Sequence, residues 1–140
     1  MSSKPKQGFW RLARRKLLVV LLAVILGLGI GYLIQHKVVS DYRDHTNWAQ
    51  ARAQMDLIHQ SLMQYWLDHD RVYPSALSYL DGPAYFGSGL PKDPFTKSDY
   101  QYELTQSGFR LICLGKDQAP GGADEPDKDI VFDETGLVER

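Results

Sequence analysis

The chain has 140 residues, the length of one small domain, and its 16 Lys and Arg against 17 Asp and Glu leave a net charge of −1. That length and a 44% hydrophobic content exclude a large enzyme, a repeat array and a disordered chain, and the single cysteine, Cys113, excludes an intrachain disulfide. The near-neutral total conceals a split: residues 1–16 hold six basic groups and no acid, while the remainder holds ten basic groups against all 17 acids. A basic end points to a membrane or another anionic partner, and an acidic body argues against nucleic-acid binding by the domain.

Residues 1–16 read as a basic tail. Leu17 to Ile34 is an uncharged run of 18 residues, LLVVLLAVILGLGIGYLI. As a helix it spans ~27 Å, close to the hydrocarbon core of a bilayer, and a helix satisfies its own backbone there. Six Lys and Arg precede the run, and only Lys37 and Arg43 follow closely. The positive-inside rule therefore predicts a cytoplasmic N-terminus, a transmembrane helix over 17–35 and residues 36–140 across the membrane. A cleaved secretory signal is the competing reading. No small-x-small cleavage site follows the run, which continues GYLIQHKVVSDY, so a retained anchor is expected. Gly27 and Gly31 form one small-xxx-small pair, a weak signal for close approach of another helix.

Beyond the anchor the hydrophobicity becomes periodic. Trp48, Ala51, Met55, Ile58, Leu62, Tyr65 and Trp66 recur at three- and four-residue steps, predicting an amphipathic helix with these residues as its packing face. Arg43, Asp44, Arg52, Asp56 and Gln60 fall on its other faces. Ser40 or Asp41 offers a cap for a fresh start, but no strong breaker lies between Ile34 and Trp48. One helix from about Arg15 to Asp68 is expected, ending before Tyr73-Pro74. A short helical turn over Ser75–Leu80, capped by Ser75, follows. Turns at Gly82-Pro83, Gly87-Ser88-Gly89 and Pro91-Lys92-Asp93-Pro94 come next. Tyr100–Leu104 and Phe109–Leu114, separated by TQSG, predict a hairpin with Phe109, Leu111 and Cys113 on one face. Cys113 then reads as a small buried hydrophobe, not a nucleophile. Ile130–Phe132 predicts a third strand. The fold class is α+β: an N-terminal transmembrane helix continues into a long stem helix packed on a small antiparallel sheet.

Between the second and third strands lies a long segment rich in glycine and acid. Asp117, Asp124, Glu125, Asp127 and Asp129 stand against Lys116 and Lys128, and Gly121-Gly122 allows tight turns. Such a segment is either a solvated acidic loop or a set of oxygen donors for a hard cation such as Ca²⁺. An EF-hand is excluded, since the glycine and glutamate that should follow Asp127 and Asp129 are missing. The four histidines, His36, His45, His59 and His69, contain no i, i+4 ligand pair. No local arrangement of serine, histidine and acid marks a nucleophile, so no enzyme is expected and no small-molecule substrate is evident.

Three ordered motifs carry a family resemblance. Tyr65-Trp-Leu-Asp68-His-Asp-Arg71-Val-Tyr73-Pro74 resembles the end of the long helix in type II secretion major pseudopilins. Leu90-Pro91-Lys92-Asp93-Pro94-Phe95 with Tyr100-Gln-Tyr102 is similar to their Leu-Pro-x-Asp-Pro-aromatic segment and first strand. Gly108-Phe109 through Asp117, then Gly121-Gly122 and Asp129-Ile130, resembles their second strand and calcium loop. Roughly residues 50–130 are covered. The resemblance implies a pilin-like fold and bound Ca²⁺, with the Leu114 carbonyl and the side chains of Asp117, Asp124, Asp127 and Asp129 as ligands. Glu125 is an alternative among the later acids, and Gln118 stands where the family usually has glycine. It also implies an inner-membrane, periplasm-facing component of a type II secretion or related type IV filament system. Its partners would be other pseudopilins or machinery subunits, reached through the helix.

The N-terminus departs from the family. Prepilins are cut after a glycine, leaving an aromatic residue first and a glutamate fifth. Here Gly8-Phe9 is the only candidate junction, the fifth residue is Ala13, and Arg14, Arg15 and Lys16 stand where the family is hydrophobic. No prepilin processing is therefore expected, and the chain reads as an uncleaved accessory or an atypical subunit. The alternative is a membrane-tethered calcium- or ligand-binding domain unrelated to secretion.

Overall fold

A computed structural model describes residues 7–138, with side chains from Arg14 onward. Lys4, Lys6 and the side chain of Arg11 in the basic tail lie outside the described residues. Contacts divide the chain into two units, Met1–Asp41 and Tyr42–Arg140. Helix α1 runs over Gln7–Asp68. It begins earlier than Arg15 because residues 7–16 contain no proline and include good helix formers such as Leu12, Ala13 and the arginines. It ends where expected. Asp70 and Arg71 take positive φ, 51° and 66°, and Arg71 N–H donates to the Trp66 carbonyl at 2.9 Å, closing the last turn.

In the first unit the described side chains of α1 are almost uniformly exposed, including Leu17–Ile34. The helix is long and apolar enough to cross a membrane, and none of its most apolar window is buried by the protein itself.

In the second unit the pattern changes to one buried stripe. Trp48, Ala51, Met55, Ile58 and Leu62 lie within a single core together with Phe109, Leu111, Cys113, Ile130 and Phe132. Each large aliphatic or aromatic side chain so buried contributes about 1.5–3 kcal/mol. Tyr65 and Trp66 are only half-buried; Trp66 stacks on Tyr73 at 6.1 Å and is covered by the Arg71 guanidinium at 5.4 Å. Asp44, expected on a solvent face, is instead buried. It lies four residues before Trp48, on the same stripe, and its charge is matched by Lys116.

After α1 a 3-10 helix, η1, occupies Leu77–Leu80. It starts two residues later than the predicted turn, and its N-cap is Ala76 with no side-chain cap, so Ser75 does not cap it. The shorter 3-10 geometry places Leu77 and Leu80, three apart, on one buried side.

Four strands follow: β1 Gln101–Leu104, β2 Phe109–Cys113, β3 Ile130–Asp133 and β4 Gly136–Leu137. They form one antiparallel sheet in the order β1-β2-β3-β4. Leu104 pairs with Phe109 across a turn at 105–108, in which Gly108 N–H donates to Thr105 Oγ1 at 3.0 Å. In β2, Phe109, Leu111 and Cys113 point inward as the alternation predicted, and Tyr102 and Phe132 flank Leu111 in register. Strand β4 carries no sequence signal, because two residues are too short for any periodicity. Its turn is stabilised by Asp133 Oδ1, which accepts from the Thr135 N–H at 2.8 Å.

Candidate functional site

The segment from Leu114 to Asp129 has no regular structure, yet its own hydrogen bonds shape it. Gly115, at φ 70°, reverses the chain out of β2, and a Cβ there would stand 2.7 Å from the Pro126 carbonyl oxygen. Lys116 N–H donates to that same carbonyl at 2.9 Å, joining the two arms of the loop. The Asp124 carbonyl accepts from the N–H groups of Asp127 and Lys128 at 3.0 and 2.9 Å. Gly121 and Asp129 exchange two bonds: Asp129 N–H to the Gly121 carbonyl at 3.0 Å, and Gly121 N–H to Asp129 Oδ2 at 2.8 Å. Gly122, at φ 77°, packs its bare Cα against the Asp127 carbonyl, where no side chain has room.

Two side chains of α1 hold this loop against the domain. Trp48 Nε1–H donates to the Lys128 carbonyl at 2.8 Å. Asp44 Oδ2 lies 3.0 Å from Lys116 Nζ. Trp48 packs in the core as its stripe position predicts, whereas Asp44, expected on a solvent face, joins the same buried stripe four residues earlier. Asp93 is a second buried acid. Its Oδ1 accepts the Phe95 N–H at 2.8 Å, locking the turn before β1.

The predicted ligand residues are brought into one loop but not into one coordination shell. Asp117 Oδ1 accepts from the Ala119 N–H at 3.1 Å, a local turn cap. Among the described residues no group of three or more acids, histidines or cysteines is assembled that could hold a metal ion. The donor set around the loop is nevertheless all oxygen, as a hard cation requires. Asp129 Oδ1 is buried without a hydrogen-bond partner, a state that costs free energy unless a positive group meets it.

The remaining chemistry-bearing side chains have structural surroundings. Burial pushes the Cys113 thiol up to about 12, with the Gly115 N–H opposing and Asp93 reinforcing the shift. Such a thiol is inert at neutral pH. Burial likewise raises the Tyr102 phenol to about 12, and its hydroxyl donates to the Pro74 carbonyl at 2.7 Å. His69 stacks on Tyr65 with ring centroids 3.8 Å apart, and its Nδ1 donates to the Tyr65 carbonyl. His59 lies between Phe109 and Phe132, with Nε2 buried and without a hydrogen-bond partner.

Comparison with individual curated proteins returns no match. The family model described as type II secretion system (T2SS), protein G, matches residues 38–132, from within α1 through β1 and β2 to Phe132 in β3. That is well over half of the chain, and it agrees with a long apolar N-terminal helix followed by a small antiparallel sheet. The protein belongs to the type II secretion system protein G family, the major pseudopilins.

Proposed function

We propose that this pseudopilin-family protein is a non-enzymatic, inner-membrane-anchored component of a type II secretion or related type IV filament system. Its N-terminus is cytoplasmic and residues 36–140 are periplasmic. The carrying observation is the succession, within α1, of a wholly exposed apolar stretch at Leu17–Ile34 and a family-matched segment beginning at residue 38. Apolar side chains exposed on every face of a helix are stable only in lipid or against other apolar helices. The protein then works by placement and contact through its helix with other subunits.

Arg11, Arg14, Arg15 and Lys16 bear on which kind of component it is. Cut after Gly8, the chain would carry four cations in the first eight residues of its mature helix, where the family is hydrophobic. The reading is an accessory that keeps its basic tail. N-terminal mass measurement on protein extracted from membranes tests this: residues 11–16 should remain attached, and an N-terminus at Phe9 would return the protein to the processed subunits.

The periplasmic domain is proposed to be stabilised by Ca²⁺. The Leu114 carbonyl and Asp117, Asp124, Asp127 and Asp129 would hold the ion, which would partner the orphaned Asp129 Oδ1 and relieve repulsion among the loop's carboxylates. Chelator should lower the melting temperature of the full chain in detergent, and Asp129→Ala should remove the response. An unchanged melting curve in chelator would take the ion out of this account.

A further inference from the structure

A concentration of side-chain donors lies at the start of the domain, beside the acidic loop. Arg43, Asp44 and Asn47 on α1, Lys97 in the turn before β1, and Lys116 with Gln118 line one cleft of about 410 Å³. Its lining holds three cations and one carboxylate, Asp44, which lies 3.0 Å from Lys116. The cleft is a positive island on a body whose charge is otherwise acidic. A recess with an excess of charge of one sign focuses its field and concentrates counter-ions.

The backbone that carries Lys97 and Lys116 is fixed by hydrogen bonds. Asp93 N–H donates to the Ser98 carbonyl at 2.9 Å, and Lys97 N–H donates to the Asp93 carbonyl at 2.8 Å. Together with the Asp93 side-chain bond to Phe95 N–H, these close the 93–98 segment into a fixed turn, with Lys97 at φ 62° and Pro94 buried beneath it. Lys116 is positioned through its own N–H bond to Pro126 and its ion pair with Asp44. Arg43 and Lys97 are exposed, and neither is in an ion pair among the described residues.

We propose that this cleft binds a phosphate group. Arg43 presents a planar fork that matches two phosphate oxygens, Lys97 and Lys116 are compact point charges, and Asn47 adds a neutral amide donor. A carboxylate, with one charge and two oxygens, would leave part of this donor set unused; a phosphate monoester or diester has more oxygens to share among it. The group has two sources of the same chemistry, free phosphate and the headgroup of an anionic lipid. Arg43 stands nine positions beyond Ile34, the last residue of the apolar run, which puts the headgroup among them.

The test uses the full chain. In neutral detergent micelles, melting is followed in inorganic phosphate and in chloride at equal ionic strength. In parallel, the chain is placed in phosphatidylcholine nanodiscs with and without phosphatidylglycerol, and amide exchange is followed over residues 93–98 and 115–118. Raised melting in phosphate identifies free phosphate as a ligand; slowed exchange only with phosphatidylglycerol identifies the lipid headgroup. Arg43→Gln combined with Lys97→Asn should weaken whichever response occurs by about tenfold or more, the magnitude of lost hydrogen bonds to charged groups. Asparagine tolerates the positive φ at position 97, so the variant keeps its fold and its melting in chloride. Lys92→Gln, outside the cleft, should respond like the parent. No response to either anion, or a response undiminished in the double variant, overturns the proposal.

Discussion

Trp48 Nε1–H and the Lys128 carbonyl are joined by a 2.8 Å hydrogen bond across 80 residues of sequence, tying the acidic loop to the stem helix. The indole is otherwise part of the apolar core, so its polar edge fastens that core to the loop. Trp48→Phe keeps most of the buried ring but leaves the carbonyl unpartnered, which costs about 1–3 kcal/mol. Melting should fall accordingly, and amide exchange should quicken over 124–129 more than in the sheet. If exchange there were unchanged, the loop would be held by its internal bonds alone.

Asp44 and Lys116 form the second fastening, with a buried carboxylate and a half-exposed ammonium. Removing the cation leaves a buried charge short of its partner, whereas replacing both leaves no charge to compensate. Lys116→Met should therefore destabilise the domain by about 1–3 kcal/mol. Adding Asp44→Asn should recover a good part of that loss, a non-additivity that a double-mutant cycle measures. Strict additivity in denaturant melts would show that the two groups do not act together.

The architecture was legible where a pattern ran long enough to set a period. The stripe from Trp48 to Leu62 predicted the buried face of the stem, and the alternation of Phe109, Leu111 and Cys113 predicted the inner face of β2. Strand β4 escaped because Gly136–Leu137 is paired by a turn rather than by a periodic run. Asp44 escaped for a different reason. Charge at a stripe position reads as solvent-facing until its partner is known, and Lys116 comes 72 residues later. The loop's outline was visible in Gly121-Gly122 and in the acids around them. Its bonding was not, because most of it runs between backbone groups, such as Lys116 N–H to the Pro126 carbonyl, and every residue type but proline carries both.

Gly122 shows where backbone conformation constrains the loop. Its φ of 77° is disfavoured for any side chain, and a Cβ would overlap the Asp127 carbonyl, which is backbone and cannot rotate away. Gly121, at φ 117°, has open space around the same atom. Gly121→Ala should cost about 1–3 kcal/mol from conformational strain alone. Gly122→Ala should cost more and should also break the pairing of Asp129 with Gly121. Comparing the two by denaturant melts separates clash from strain, and equal losses would place the whole effect in φ.

Alkaline pH should destabilise the domain in two overlapping steps. Burial raises Cys113 from its ordinary 9 to about 12 and Tyr102 from 10 to about 12. Tyr100, buried beside Cys113 and Asp93, is shifted in the same direction. In each case the folded state resists ionisation, so the unfolded chain loses its proton first. The stabilising contribution is complete below the unfolded value and is lost as pH rises toward the folded one. Stability should therefore begin to fall near pH 9 through the thiol, and more steeply above 10 as the tyrosines join. Cys113→Ala should move the onset upward by about one pH unit, the gap between the ordinary thiol value of 9 and the ordinary phenol value of 10, despite the lower starting stability of a core truncation. Tyr102→Phe should instead flatten the curve between 10 and about 12. Urea melts across this range read both effects. The same burial predicts that alkylation of Cys113 follows the rate of opening of the fold, and a thiol that reacts as fast as a free cysteine would contradict it.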